Sequence, residues 1–413
     1  MSNFDPNVKY INGPVNVARL EGYVHNIKKV IYLFMDMHAD VHRQTGCDNF
    51  FSEDVTRYFT MSFYKLNKGT KIYDFFMEIR PSEELAVKGD KYRFRSIYIE
   101  QMMKFFKTLF RIDEKTNKVQ TPDIFKKVRF HYMDVRDYLA FHIWYNVRDV
   151  QELLYHILIR NYAFYERTIK NSVEMLSSSN EHLTFLTNLL TMENYKEPNE
   201  KVSLIKPKDM YEVDKKALFR LIYKIREKYN DEKIKNIMNR QINVLVNKLS
   251  NLEKYINETN KEYMEYANTI PKMIEILSRD EKHPELYTYG MSSYTKRKLI
   301  NNILDRIDYI SDNLMISIAR LTDIYFLRRF LDKDYITNAI VYTGMLHSMY
   351  YIKILVNNFD FKVTHLAYSR IKDTNEFTEK VKFYQDEREL LLFLLPDTLY
   401  QCSNISHFPE KFE

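Results

Sequence analysis

A chain of 413 residues with 45% hydrophobic content, 33 Tyr and 27 Phe is long enough for two domains and too apolar for a disordered polymer. Its formal charge of +6 is spread over 62 basic and 56 acidic residues with no basic arm or binding module, so no nucleic-acid partner is expected. The two cysteines, Cys47 and Cys402, fit a reducing compartment without a disulfide framework, and with neither a leader pattern nor a membrane-length apolar run a cytoplasmic location is expected.

Residues 1–28 read as a lead-in. The run Val30 to Met35 is apolar on both faces, as in a strand covered on both sides. It runs out into Asp36-Met37-His38-Ala39-Asp40, and continued extended backbone would put Asp36, His38 and Asp40 on one side. Ser52-Glu53-Asp54 ahead of Val55, Tyr58 and Phe59 predicts a capped helix. A second strand begins at Tyr73, carries Glu78 at its tip and is stopped by Pro81. A helix over Ile97 to Phe110 and a third strand from Val128, tipped by Asp134 and Asp137, complete a pattern that predicts a mostly parallel α/β sheet.

From Val147 the apolar spacing becomes helical, through Leu153, Leu154, Ile157, Leu158, Tyr162 and Tyr165. A polar stretch over residues 193–213, with Pro198 and Pro207, reads as a linker. One stripe then runs through Ile234, Met238, Leu245, Leu249, Leu252 and Ile256, its helix ended or kinked by Pro271. A second runs through Ile300, Ile303, Ile307, Ile310, Leu314, Leu321 and Ile324. Two such stripes predict a long helical hairpin, with assembly into a homo-oligomer as another use of the same faces. Strand patterns return at Asn338 to Gly344 and Phe361 to Ala367, with a helix over Met349 to Asn357 between them, and the run Leu390 to Leu395 should pack on the body or on a partner. The expectation is an α/β fold whose sheet is split by an all-helical insertion. Its parts are residues 1–146, 147–327, 328–380 and a tail over 381–413.

In a parallel sheet the strand tips converge on one edge. That edge would gather Asp36, His38, Asp40, Glu78, Asp134, Asp137 and His347. Two imidazoles with carboxylates can hold a divalent metal and activate its water. The same groups can act without metal, a histidine serving as general base and a carboxylate orienting it. Acids at strand tips also serve as plain helix caps, and buried histidines as structural donors. His42 and Cys47 lie close downstream, outside the proposed set. Arg328-Arg329 ends the second long helix, where it can pair with the helix dipole or reach the acids to bind an anionic or carbonyl group. Arg80 and Arg136 could do the same.

Met35-Asp36-Met37-His38, Phe76-Met77-Glu78, Leu327-Arg328-Arg329-Phe330 and Val341-Tyr342-Thr343-Gly344-Met345-Leu346-His347 together resemble the ordered motifs of the Tiki/TraB/erythromycin-esterase superfamily, which includes the ChaN-like proteins. Met35 stands where that family places a glycine, and Asp36 where it favours Glu. The resemblance covers the two α/β portions. It implies hydrolysis of an ester or amide bond in a peptide or ester substrate, with His38, Glu78 and His347 at the core. Asp36 would be a ligand or an orienting acid, and Arg328 or Arg329 an electrostatic stabiliser. Were a divalent ion such as Zn, Mn or Co held at the strand tips, Asp36, His38, Asp40, Glu78 and His347 would be its candidate ligands, and otherwise no cofactor is expected. The chain also resembles proteins of large nucleocytoplasmic DNA viruses, which would put it in host cytoplasm or a virion. A different expectation, also consistent with the stripes, is a non-catalytic protein that keeps the scaffold and assembles through its long helices.

Overall fold

The computed structural model describes residues 9–38, 47, 51–79, 98–113, 118–136, 142–159, 166–192, 215–278 and 292–413. In order along the chain come β1 (Tyr10–Asn12), β2 (Asn16–Val24), β3 (Ile27–Asp36), β4 (Glu53–Asp54), α1 (Val55–Leu66), β5 (Tyr73–Met77), α2 (Tyr98–Leu109), β6 (Arg111–Asp113), β7 (Lys118–Gln120) and β8 (Val128–Tyr132). The helices α3 (His142–Ile159), α4 (Glu166–Thr191), α5 (Lys215–Arg226), α6 (Glu232–Ser278) and α7 (Ser292–Asp332) follow. After them come β9 (Asn338–Gly344), α8 (Met345–Phe359), β10 (Lys362–Leu366), α9 (Thr374–Phe383), α10 (Leu391–Leu394) and β11 (Cys402–Asn404). The fold is mixed α/β with sheets of mixed strand orientation. The chain divides into two compact units, residues 1–135 with 325–413, and residues 136–324.

The first unit is built on a six-stranded sheet in the order β10-β2-β3-β9-β5-β8. β3 pairs parallel with β9, β9 with β5, and β5 with β8, whereas β2 is antiparallel to both β3 and β10. Most of residues 9–28 therefore belong to strands, and the expected lead-in is corrected. The β2–β3 hairpin turns on His25 and Asn26, which both take positive φ. Such a two-residue turn usually advertises itself with glycine, and none is present here.

Alternation along the strands sorts two faces. Tyr32 and Phe34 of β3, Phe75 of β5, Phe130 of β8 and Tyr342 of β9 join one aromatic core with Phe59 and Phe63 of α1, Phe106 of α2 and Phe412. Helix α1 starts where the sequence predicts, its cap Asp54 accepting from the Thr56 amide. Phe76 lies on the other face, edge-on to Phe326 near the end of α7, which in turn touches Tyr351 of α8. In the tail Leu390 and Leu394 are buried while Leu392 is exposed.

Cys47 and Cys402 are joined as a disulfide across 355 residues, which corrects the expectation of two unpaired thiols. The reason is topological. β11 pairs with one edge of β1 and β4 with the other, so the two cysteines are delivered to the same small sheet. Such bonds persist in oxidising surroundings, virion surfaces among them.

In the second unit both predicted stripes are buried, from Ile234 to Ile256 on α6 and from Ile303 to Ile324 on α7. Helix α6 runs along α4, tied by Asn180 to Asn257, Thr187 to Glu253 and Asn260 to Ser177. It meets α7 through the Arg306–Glu262 ion pair and the Tyr255–Tyr309 ring contact. Helices α4, α6 and α7 thus pack together within the helical unit. Helix α6 is continuous across Pro271 to Ser278, so that proline does not end it. Among the described residues no helix is long and apolar enough to cross a membrane.

Phe75 touches Phe59, Phe63, Phe106 and Phe130 at centroid distances of 5.1, 5.0, 5.0 and 5.4 Å. Phe75→Ala should lower unfolding free energy by about 3–5 kcal/mol, read from urea denaturation of the full chain.

Candidate active site

β9 is inserted between β3 and β5, so three parallel strands end side by side. Their tips carry Asp36, Gly344 and Glu78. Residue 344 is the N-cap of α8, and one turn on, that helix brings His347 to the same place. The parallel register explains why residues over 260 apart in sequence meet.

Glu78 is 2% exposed. Its Oε2 accepts from the Thr343 hydroxyl and from the Gly344 amide, each at 2.9 Å. A carboxylate at the start of α8 also sits favourably against the helix dipole. His347 Nε2 lies 3.4 Å from Oε1, and His38 Nε2 lies 3.8 Å from Oε2. The His347 ring is buried, whereas the His38 side chain is 44% exposed. Two imidazoles from distant segments therefore flank one buried carboxylate.

The strand does not continue through His38. Extended backbone ends at Asp36, and His38 takes a left-handed conformation with φ 52°. The expected single file of Asp36, His38 and Asp40 is corrected accordingly. Asp36 Oδ1 accepts from the His38 amide at 2.5 Å, and Oδ2 from the Tyr342 hydroxyl at 2.6 Å. Burial pushes the Asp36 carboxyl above its ordinary range, against the pull of the His38 charge and the Tyr342 hydroxyl. Asp40, Asp137, His42 and Arg80 lie outside the described residues. Asp134 is buried just past β8, its amide donating to the Ile79 carbonyl. Arg136 falls in the second unit. Arg328 is buried and Arg329 half-buried, and the Arg329 charge acts on His131 of a neighbouring cluster.

Two imidazoles and a carboxylate belong to the donor class of zinc and manganese sites. Here Glu78 Oε2 accepts two hydrogen bonds and faces His38 Nε2, while Oε1 faces His347 Nε2. Without a metal, the same groups supply the acid–base chemistry of imidazole and carboxylate.

Residues 9–413 match the family described as "Family of unknown function (DUF5847)". The chain belongs to this family. It is 39% identical to Uncharacterized protein R706 of Acanthamoeba polyphaga mimivirus, over 99% of this chain and 98% of that one. Uncharacterized proteins R161 and R160 of the same virus are each 34% identical, R161 over the whole of both chains and R160 over 99% of this chain and 98% of its own. These three relatives are mimivirus proteins, in keeping with the viral resemblance. No solved structure matches it.

Sequence reasoning passes over a second cluster on the same sheet face. Asp74, fully buried on β5, accepts from Arg129 Nε at 2.8 Å and Nη2 at 2.6 Å, and His131 Nε2 stands 2.6 Å from its Oδ1. The signal for it is an acid inside an apolar strand opposite an Arg-x-His alternation. Burial, with the Arg329 and Arg129 charges, lowers the His131 pKa to about 4 although the Asp74 hydrogen bond and charge raise it. The folded state therefore resists the proton that the unfolded chain takes up below about 6.5. Stability should drop by roughly 3 kcal/mol as pH falls from above 6.5 toward 4. In His131→Gln, urea midpoints across that window should show a correspondingly shallower slope.

Gly344 has a separate role. A Cβ there would stand 3.0 Å from His38 Cε1 and 3.4 Å from Glu78 Oε2. The half-exposed ring can yield, so Gly344→Ala should cost less than about 1 kcal/mol of stability while displacing His38 from Glu78. A shifted His38 Cε1–H resonance with a near-native melt is the expected pair of results.

Proposed function

We propose that this protein is a hydrolase of ester or amide bonds centred on His38, Glu78 and His347. The observation that carries the reading is the meeting of two imidazoles, from residues 309 positions apart in sequence, at one buried carboxylate. The order of the motifs along the chain, which resembles that of the Tiki/TraB/erythromycin-esterase superfamily, supports the same chemistry. His38, the solvent-reaching imidazole, takes the proton of the attacking water as it adds to the carbonyl carbon. Glu78, fixed by Thr343 and Gly344, stabilises the imidazolium that forms. His347, on the other oxygen of Glu78, gives its proton to the leaving group and takes one back from solvent as His38 releases the proton it accepted. Separations of 3.4 and 3.8 Å are loose, as is usual before substrate tightens such contacts. Arg328 or Arg329 would supply the electrostatic stabilisation that the resemblance implies.

A second reading, a scaffold that assembles through its helices, draws on Val244, Met264, Tyr309 and Met315, which leave apolar surface exposed in the helical unit. Light scattering during size exclusion separates it from a monomer.

The deciding experiment is a panel of aryl esters and short peptides assayed with the full chain, Glu78→Gln and His347→Ala. Loss of about 100-fold or more in kcat/KM, with unchanged circular dichroism, is expected of each variant. Variants as active as the parent, or a parent that cleaves none of the panel, would count against the hydrolase.

A further inference from the structure

Asp36 sits in the acid cluster, yet both of its oxygens are engaged elsewhere. In the parallel register of β3 with β9, Phe34 lies opposite Tyr342 and Asp36 opposite Gly344. Residues two apart on a strand share a face, so Asp36 lies on the face of Phe34 and Tyr342, toward the aromatic core. Glu78 alternates with Met77, a member of that core, and so belongs to the opposite face. The Tyr342 hydroxyl reaches Asp36 Oδ2 at 2.6 Å, and Oδ1 takes the His38 amide two residues on at 2.5 Å. Asp36 is 1% exposed, the Tyr342 contact being buried and the His38 contact partly buried. His38 meanwhile holds φ 52°, a conformation that a residue with a Cβ keeps only when its surroundings impose it. From there its ring crosses the end of β9, over Gly344, to reach Glu78.

We infer that Asp36 and Tyr342 are positioning residues that fix the left-handed turn at His38 and so deliver its imidazole to Glu78. Asp36 is then neither a ligand nor a proton carrier. The inference rests on the reading of His38 as the base, but its structural half stands or falls separately. An acceptor oxygen at residue 36 is what the turn needs, and asparagine supplies one. A ligand or a proton carrier needs the carboxylate itself.

The test uses the full chain with Asp36→Asn, Asp36→Ala and Tyr342→Phe. In deuterated protein carrying ¹⁵N-histidine, the His38 amide proton should be shifted downfield and protected from exchange. Asp36→Asn should keep most of that protection, Tyr342→Phe should weaken it several-fold, and Asp36→Ala should abolish it. On any ester that the parent cleaves, Asp36→Asn should retain kcat within about 3-fold. Asp36→Ala should lose up to about 100-fold in kcat with KM little changed, as expected of a misplaced base. Should Asp36→Ala not fold, the Tyr342→Phe amide carries the test. Equal loss of activity in Asp36→Asn and Asp36→Ala, or an unaltered His38 amide in Tyr342→Phe, would overturn the inference. Altered amides in a parent that cleaves nothing would uphold the positioning role and remove the hydrolase.

Discussion

A carboxylate taken out of water must be compensated by its surroundings, and Glu78 sets that demand for the first unit. The desolvation cost of a buried ion amounts to several kcal/mol, which one contact does not offset. Here the offset comes from a hydroxyl, a backbone amide, the start of a 15-residue helix and two imidazoles. The hydroxyl, the amide and the helix all come from the single turn in which β9 becomes α8. Glu78 and that turn thus require each other. The acid caps the helix, and the helix makes the acid tolerable. An acid buried in this way is poised to interact strongly with any positive charge that develops beside it, as an imidazole does when it accepts a proton.

The same strand carries a second buried acid, and period two puts both on one face. Asp74 and Glu78 are roughly 13 Å apart along β5, four residues at about 3.3 Å each. At an effective dielectric of about 20, two carboxylates at that distance repel by roughly 1 kcal/mol. Arg129 answers Asp74 locally with two hydrogen bonds, so little of that repulsion reaches Glu78. Phe76 fills the space between, stacked on the His131 ring at 4.4 Å and edge-on to Phe326. One cluster is closed by its own arginine, and the other is left with a half-exposed histidine. That contrast separates a structural ion pair from a candidate centre.

Much of this is readable from local pattern. Apolar runs locate β3, β5, β8 and β9, Asp54 marks a helix start, and Gly344 marks the turn that brings His347 to Glu78. What escapes are features that depend on partners remote in sequence. Nothing near Cys47 announces Cys402, because only the pairing of β1 with both β4 and β11 brings them together. The hairpin at His25 and Asn26 lacks glycine, and so hides β2. Alternation groups Asp36 with His38 only when it is carried past the end of the strand. A side-chain oxygen that captures an amide two residues ahead is a local device, but it becomes visible only once φ at His38 is known.

The order of assembly follows from where β9 enters. It lies between two strands that precede residues 136–324 in the chain, so the sheet closes only when the polypeptide returns from that region. Lys29 fixes the point of return. Its buried ammonium donates to the carbonyls of Phe330, Lys333 and Ile336, at the end of α7 and in the loop before β9, while the Val30 amide bonds the Thr337 carbonyl. Burial lowers the Lys29 pKa to about 8, so the charge is held at neutral pH against a desolvation penalty that the three carbonyls answer. With that anchor made, Val30 falls opposite Asn338, and the register carries Asp36 to Gly344 six residues on. A slip by one residue would turn Tyr342 away from Asp36 and Thr343 away from Glu78 together. The geometry at the strand tips is therefore set at the opposite end of the sheet, by a lysine that never touches them.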